Sequence, residues 1–454
     1  MPFSLQKVLA AGQIHPLYNA SVPYPPSPER VKKLQEDARA GENLDLKSFE
    51  ILQKDTLYDV NERLLDDLSP QNCFRQRAYV SLTGGGSGSP PLSFITDVDE
   101  NRKHRAEFGQ FLQTAGLIQN GDWLLTTHYA GDLSLDLMSE TTENAGASVL
   151  SAGNHMSPKD VADSLKKYHV NVLCGESNQI VQLAHFISTL PEQEQRALKL
   201  DKIIYTSEVL NKSQRKLIRA VLGDIKICSI MGSAEAGPWA VSHPDLTGVN
   251  DETGVQDFVF DTRSMVVEIF PLSLSEDGGH AEPLPEGEQG IVVQTSLSRM
   301  RNPVIRYNTG DVASTHPLPE SARAHVPAGD WEHLRVLRLH GRDRRFGFKW
   351  DCVYFQFSDI TAAMNNEECG ILQWQVILDQ LEGSRENTIE LRLLCPPRGP
   401  EFLPRQEVVG RLRNFFNAYA GNEHRFKVAF VNDMDEFERS RTGRKIIKFV
   451  NRVA

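Results

Sequence analysis

A chain of 454 residues with 40% hydrophobic and 24% charged content is long enough for two or more domains, each with its own core. A formal net charge of −11 with no basic stripe excludes a general nucleic-acid binder, while leaving room for a locally positive site on an anionic substrate. The cysteines at 73, 174, 228, 352, 369 and 395 form no CxxC pair and no segment approaches 18 apolar residues, so neither a disulfide framework, a zinc cluster nor a membrane span is expected, and a cytoplasmic setting is.

Residues 1–78 read as an irregular, partly helical lead-in: "NASVPYPPSPERVKKLQEDARAG" holds a charged helix after its prolines, and "DTLYDVNERLLDDLSP" has helical spacing. In "YVSLTGGGSGSPPL" (79–92) consecutive bare N–H groups and hydroxyls would make an anion-binding concavity, or simply a surface turn. Apolar runs and helical patterns then alternate. "DWLLTTHY", "VNVLCG", "LDKIIYTSE" and "IKICSIMG" read as strands, and "SPKDVADSLKKYH", "QIVQLAHFISTL" and "SQRKLIRAVLG" as helices, the first with an N-cap Ser and Pro at its first position. This rhythm predicts an α/β fold with helix-covered, largely parallel sheets. After residue 250 the texture turns strand-rich, with "QDFVFDTRSMVVEIFPL" and "GEQGIVVQTSL" joined by a mobile surface loop. The last hundred or so residues alternate helix and strand as a compact α+β unit, so we place a boundary near 341–346: residues 1–341 as one domain and 342–454 as a second. Trp239 and Trp350 read as core, and His104, His155, His169 and His243 are too scattered for a metal site.

From about residue 50 to 454, five motifs in order resemble the adenylate-forming superfamily of acyl- and aryl-CoA ligases, in particular its phenylacetate–CoA ligase-like branch. "TGGGSGSP" is similar to the family's phosphate loop, which implies ATP phosphate contacts from Thr83, Gly84, Gly85, Gly86 and Ser87; Ser89 stands where relatives often carry Lys. The segment 116–154 resembles the strand and aromatic loop that help form the acyl pocket, implicating Tyr129 and His128. Thr206-Ser207-Glu208 occupies the place of a Gly-Ala-Glu turn along adenine, with Ser207 and Glu208 as cofactor-binding candidates. "IMGSAEAGPWA" is similar to the Tyr-Gly-Leu-Thr-Glu motif: Met231, Gly232 and Ser233 would border the nucleotide, Glu235 would help hold Mg²⁺, and Gly237 would line the acid. "VIRYNTGDVA" is close to the Arg-Tyr-x-Thr-Gly-Asp signature, whose Asp, here Asp311, accepts from both ribose hydroxyls.

The stretch "LHGRDRRFGF" resembles the hinge before a mobile C-terminal lid domain, with Arg342 matching an Arg on ribose or phosphate, and "ERSRTGRKIIKF" resembles the Thr-Gly-Lys tail. Arg444, Lys445 and Lys448 compete for the tail cation; a compact ammonium suits one crowded phosphate oxygen, which favours Lys445 as catalytic together with Glu235. The resemblance implies ATP-dependent activation of a small, aromatic carboxylic acid to acyl-AMP with loss of pyrophosphate. Transfer would follow to CoA, a carrier-protein thiol or an amine, with Mg²⁺ and no nucleic acid or membrane partner. A free-standing amide-forming or carrier-loading ligase and a non-catalytic nucleotide-binding module are the alternatives.

Overall fold

The computed structural model describes residues 2–19, 29, 32–33, 36, 44–82, 93–130, 134–248, 255–275, 282–342, 347–351, 353–382, 384, 386–396, 402–440 and 445–453. The charged helix expected near 29–42 and the glycine-rich loop therefore lie mostly or wholly outside the described residues.

Helix α1 spans Leu5–Gln13 and α2 spans Lys54–Asp66. A hairpin of β1 (Ala78–Leu82) and β2 (Ser93–Asp97) flanks the glycine-rich stretch and leads into α3 (Val98–Thr114), whose N-cap Asp97 accepts from the Asp99 and Glu100 amides. Strand β3 (Trp123–Thr126), α4 (Ser134–Asn144), β4 (Ser148–Ser151), α5 (Pro158–Lys167), β5 (Val172–Glu176) and α6 (Ser177–Ser188) follow. Next come α7 (Glu192–Arg196), β6 (Lys202–Thr206), α8 (Lys212–Leu222), β7 (Lys226–Ser233), β8 (Gly237–Ser242) and the single turn α9 (Pro244–Thr247). The expected caps are present: Ser157 accepts from the Asp160 amide with Pro158 at the first helical position, and Asn211 and Gln214 form a reciprocal capping box on α8.

Strands β9 (Gln256–Asp261), β10 (Met265–Phe270), β11 (Gly290–Ser296), β12 (Tyr307–Pro317) and β13 (Leu334–Arg342) complete one large sheet of order β10-β11-β12-β13-β9-β8-β7-β6-β5-β3-β4. Strands β4, β3, β5, β6 and β7 pair in parallel and the rest antiparallel. The strand-rich segment is thus hydrogen-bonded to the parallel half through β8 and β9 rather than standing as a separate sheet.

Side chains of the parallel strands alternate between two cores. Leu173, Ile203 and Ile227 face α5, α6 and α8 with Val161, Leu165, Ile180, Leu183 and Ile218. Their neighbours Val172, Ile204, Cys228 and Ile230 face α3 and α4 with Phe108, Leu112 and Met138. A strand buried on both faces reads as a continuous apolar run, and this is why those segments were legible.

The C-terminal region begins with the hairpin β14 (Gly347–Trp350) and β15 (Val353–Gln356) and helix α10 (Phe357–Met364). A four-stranded sheet follows, of order β18-β17-β16-β19, built from β16 (Gln373–Gln380), β17 (Asn387–Leu394), β18 (Phe426–Val431) and β19 (Phe449–Asn451), with α11 (Arg405–Phe415) between β17 and β18. Trp350 is buried in this core, as Trp239 is in the large sheet. Leu372, Leu394, Met434, Phe437 and Ile446 pack into the core beneath α5, α6 and α8. Asn211 at the start of α8 donates to the Ile371 carbonyl at 3.3 Å, and Gln214 donates to that of Leu372.

Beneath the sheet, Lys202 at the start of β6 forms a buried pair with Asp122 at 2.8 Å and donates to the Leu117 carbonyl at 3.0 Å. Removing one member of such a pair strands the other charge in low dielectric. Lys202→Met should therefore lower the unfolding free energy by about 3–5 kcal/mol in urea denaturation; a loss below about 1 kcal/mol would mean that the pair is effectively solvated.

Candidate active site

The carboxyl ends of β3, β5, β6 and β7 open on one edge of the sheet, where the chain order reverses between β3 and β5. In open α/β sheets this is where ligands bind. Thr127 continues β3 by donating its amide to Cys174, and the next residues, His128 and Tyr129, emerge at that edge. His128 is buried and held from both sides: Nδ1 lies 2.8 Å from the Thr126 hydroxyl and Nε2 lies 2.9 Å from that of Thr206. The ring is thus fixed as part of the wall joining β3 to β6. The next two residues after Thr206 are Ser207, with φ of +78°, and Glu208. A left-handed serine at a strand end is the kind of backbone strain found at functional sites.

Opposite them, β5 ends in Glu176, which sequence reasoning did not single out. Its side chain sits where an apolar strand exits, 3% exposed, and Oε2 has no hydrogen-bond partner among the described residues. Burial pushes its carboxyl up to about 7; Lys445 pulls it down, Glu208 pushes it up, and the Ser207 hydroxyl and Arg439 pull it down. The available signal was a carboxylate closing a run of buried strand residues, "VNVLCGE".

The β7–β8 turn carries the Glu235 motif. Gly232 faces the backbone of the next strand so closely that a Cβ there would lie 2.8 Å from the Gly237 carbonyl oxygen. Ser233 accepts from the Ala236 amide at 3.1 Å, and Met231 is half-buried beside it. Glu235 is buried and accepts from the Tyr307 hydroxyl at 3.0 Å. That bond ties the turn to the start of β12, four residues before Asp311. Gly237 has a φ of +73° and abuts His104 and Arg299.

On β12, Thr309 donates to the Val292 carbonyl at 3.1 Å and accepts from the Asp311 amide at 3.0 Å, which fixes the backbone of the Thr-Gly-Asp turn. Asp311 is half-buried and directly opposite Arg342 in the β12–β13 register. The motif's Arg306 serves the fold instead, bonding Glu268 at 3.1 Å and the Phe49 carbonyl at 2.9 Å.

The tail reaches the same edge. Arg439 donates to the Tyr129 hydroxyl at 2.9 Å and to Asp435 at 2.8 Å, and Arg439 and Ile446 form an antiparallel bridge. Lys445 directly precedes the bridged Ile446 and is exposed, with its charge acting on Glu176. The Lys448 ammonium is engaged with Gln373, with Glu208 at 3.7 Å and with the Trp374 ring at 4.8 Å. Arg444 and the loop candidates Thr83, Gly84, Gly85, Gly86 and Ser87 lie outside the described residues, as does the side chain of Arg342.

Among the described residues no group of three His, Cys, Asp or Glu side chains could cage a metal, and no helix is long and apolar enough to cross a membrane. A lone carboxylate such as Glu235 fits a cation that takes its other ligands from phosphate oxygens and water, as Mg²⁺ does.

Glu176 makes stability depend on pH. The unfolded chain ionises this carboxyl near its ordinary 4.5, whereas the folded chain keeps the proton to about 7. The folded state binds the extra proton between those values, so the contribution is nil below the lower one and becomes a cost of about 3 kcal/mol above the upper one. Glu176→Gln should raise the unfolding midpoint at pH 8 and lose that advantage as pH falls to 5, measured by denaturation across that range. An advantage that does not vary with pH would show that the carboxyl titrates normally.

No known family model matches the chain. Indoleacetate–lysine synthetase of Pseudomonas savastanoi is 24% identical over 273 residues, 58% of this chain and 59% of that protein, so the chain spans less than two thirds of its curated relative. Among solved structures, 2-hydroxyisobutyryl-CoA ligase in its postadenylation state with R3-HIB-AMP superposes with a TM-score of 0.63 at 16% identity, covering 98% of this chain and 88% of the other. The same ligase in its thioesterification state with 2-HIB-AMP and CoA gives 0.53 at 16% identity and the same coverage. An ATP-bound RpMatB-BxBclM chimera gives 0.51 at 13% identity, covering 82% and 66%. The chain has the fold of the adenylate-forming (ANL) ligase superfamily.

Proposed function

We propose that the chain is an AMP-forming carboxylic acid ligase. The observation that carries this reading is the meeting of tail and strand ends: Arg439 on Tyr129 brings Lys445 to the edge that presents Glu176, Ser207 and Glu208. The higher likeness to the postadenylation state than to the thioesterification state of the same ligase supports an arrangement suited to the first half-reaction.

In this reading residues 1–341 bind ATP and the acid, and residues 342–454 form a lid that turns about Arg342. The loop from Thr83 to Ser87 wraps the β- and γ-phosphates. Ser207, Glu208, Met231, Gly232 and Ser233 border adenine, and Asp311, with Arg342, holds the ribose. Glu235 would hold Mg²⁺, which supplies charge neutralisation on the phosphates. A small acid lies between Tyr129, His128 and Gly237, and the motif resemblance to the phenylacetate–CoA ligase-like branch favours an aromatic one. Its carboxylate oxygen attacks the α-phosphorus, the bond to the β-phosphate oxygen breaks, and pyrophosphate leaves. The chain's part is positioning and electrostatics, with the Lys445 ammonium offsetting charge on the α-phosphate. A CoA or carrier thiol then gives up its proton and attacks the acyl carbon, forming the thioester as the acyl–phosphate bond breaks and AMP leaves. The free cysteines among the described residues suit a cytoplasmic setting.

A second reading gives the acyl group to an amine. Glu176 favours it, because a buried carboxyl near neutrality suits the removal of a proton from an attacking ammonium. The synthetase relative, named for joining an acid to an amino acid, supports the same reading.

Two outcomes follow. Lys445→Ala should slow acyl-AMP formation by about a hundredfold, while its consumption of supplied acyl-AMP should remain near wild type, each half-reaction being followed separately. Equal loss in both would remove Lys445 from the adenylation step. Asp311→Ala should weaken ATP binding by roughly 2–4 kcal/mol in calorimetry, and an unchanged affinity would remove Asp311 from the ribose site.

A further inference from the structure

Beside the candidate acid site, two arginines are buried without enough acceptors. Arg299 follows β11 and Arg105 sits on α3, each 2% exposed. Arg105 directs Nη1 to Asp136 at 2.7 Å and to Glu140, and its guanidinium lies 4.6 Å above the Tyr79 ring. Its Nε and Nη2, the edge that grips a carboxylate with two parallel bonds, have no partner among the described residues. Arg299 is barer still: Nε and Nη1 are unpartnered and no carboxylate forms an ion pair with it among the described residues. The Glu100 carboxyl lowers the cost of its charge, yet its oxygens accept from the Met300 and Arg301 amides at 3.1 Å each. His104 adds no compensation, since burial and the adjacent Arg299 push its imidazole down to about 3. A buried guanidinium with open donors and no ion-paired carboxylate is costly, and an incoming anion would reduce that cost.

The cluster's position says which molecule would bring the anion. A Cβ on Gly237 would lie 2.6 Å from His104 and 2.7 Å from Arg299 Nη2, so this glycine is what lets Arg299 and His104 approach. Gly237 pairs with Ser233 and lies two residues beyond Glu235, on the wall assigned to the acid. We propose that Arg299 and Arg105 form a binding site for a second anionic group on the acid substrate, remote from the carboxylate that is activated. Arg105 already carries two carboxylates, Asp136 and Glu140, so the two guanidiniums have no net charge to spare for a phosphate dianion, and a singly charged carboxylate held by the open donors is the better fit. The substrate class is then a small dicarboxylic acid. This rests on the ligase reading for the identity of the ligand, although the cationic site itself does not.

The test is calorimetric titration of the full chain, with α,β-methylene ATP present, by pairs of acids on one skeleton: hexanoate against adipate, and phenylacetate against 4-carboxyphenylacetate. In at least one pair the dicarboxylate should bind tenfold or more tightly, and converting its second carboxylate to a carboxamide should abolish the gain. Arg299→Met should erase the preference, and Arg299→Lys should keep part of it. Equal or tighter binding of the monocarboxylate in both pairs, or a preference that survives Arg299→Met, overturns the proposal. The carboxamide comparison needs only the wild-type protein, so the proposal can fail or hold even where a variant does not fold. Acid-dependent exchange of pyrophosphate into ATP, run with the same acids, separates the two readings. Tight dicarboxylate binding without exchange overturns the ligase reading and leaves the anion site, whereas exchange with monocarboxylates alone does the reverse.

Discussion

The constraint on which the rest of the molecule depends is the direction of five parallel strands. Strands β4, β3, β5, β6 and β7 all end on one edge of the sheet. Because β3 is followed outward by β4 and β5 lies on its other side, the connections diverge above β3 and β5 and leave a crevice that no crossover covers. The polar side chains that are buried there, unlike the exposed Ser207 and Ser233, must find partners. His128 finds Thr126 and Thr206, and Glu235 finds Tyr307. Glu176 keeps one oxygen without a partner and holds its proton instead. The Glu176 carboxyl responds to arriving charge, since the Lys445 ammonium pulls it down.

The tail is one such arrival. It docks through a charge-assisted bond from Arg439 to Tyr129 and through apolar side chains, Ile446 among them, that enter the core beneath α5, α6 and α8. The single hydrogen bond is worth about 1.5–3 kcal/mol at most, and the seat as a whole is extended by the backbone carbonyls that receive Asn211 and Gln214. For the lid proposed above, a seat made of many modest contacts suits reversible rotation better than a single strong tie would. In that proposed motion, withdrawal of Lys445 would also release its pull on the Glu176 carboxyl.

Much of this was legible in the sequence because local signals agreed. Parallel strands buried on both faces announce themselves as apolar runs, and Ser157-Pro158 and Asn211 mark helix starts by chemistry that needs no tertiary partner. The order of short motifs placed His128, Ser207 and Glu235 just past strand ends, where the structure has them, whereas Asp311 lies inside β12. What stayed hidden depends on distant pairing. That β9 to β13 extend the same sheet is decided by β8 meeting β9, a long-range register that no local pattern encodes. Arg299 and Arg105 were not singled out from the sequence, since no local pattern marks either as buried. Arg306, by contrast, sits inside the most specific motif and yet serves the fold through Glu268 and Phe49.

The central claim is that this edge activates a carboxylate with ATP, and one measurement bears on it without any variant. Wild-type protein is incubated with ATP, Mg²⁺ and labelled pyrophosphate, with and without a panel of aromatic and aliphatic mono- and dicarboxylic acids. The account predicts label entering ATP only when a suitable acid is present, because the reverse of adenylation needs acyl-AMP. ATP binding measured in the same preparation with no acid-dependent exchange across the panel would contradict it, and would leave a nucleotide-binding protein in place of a ligase.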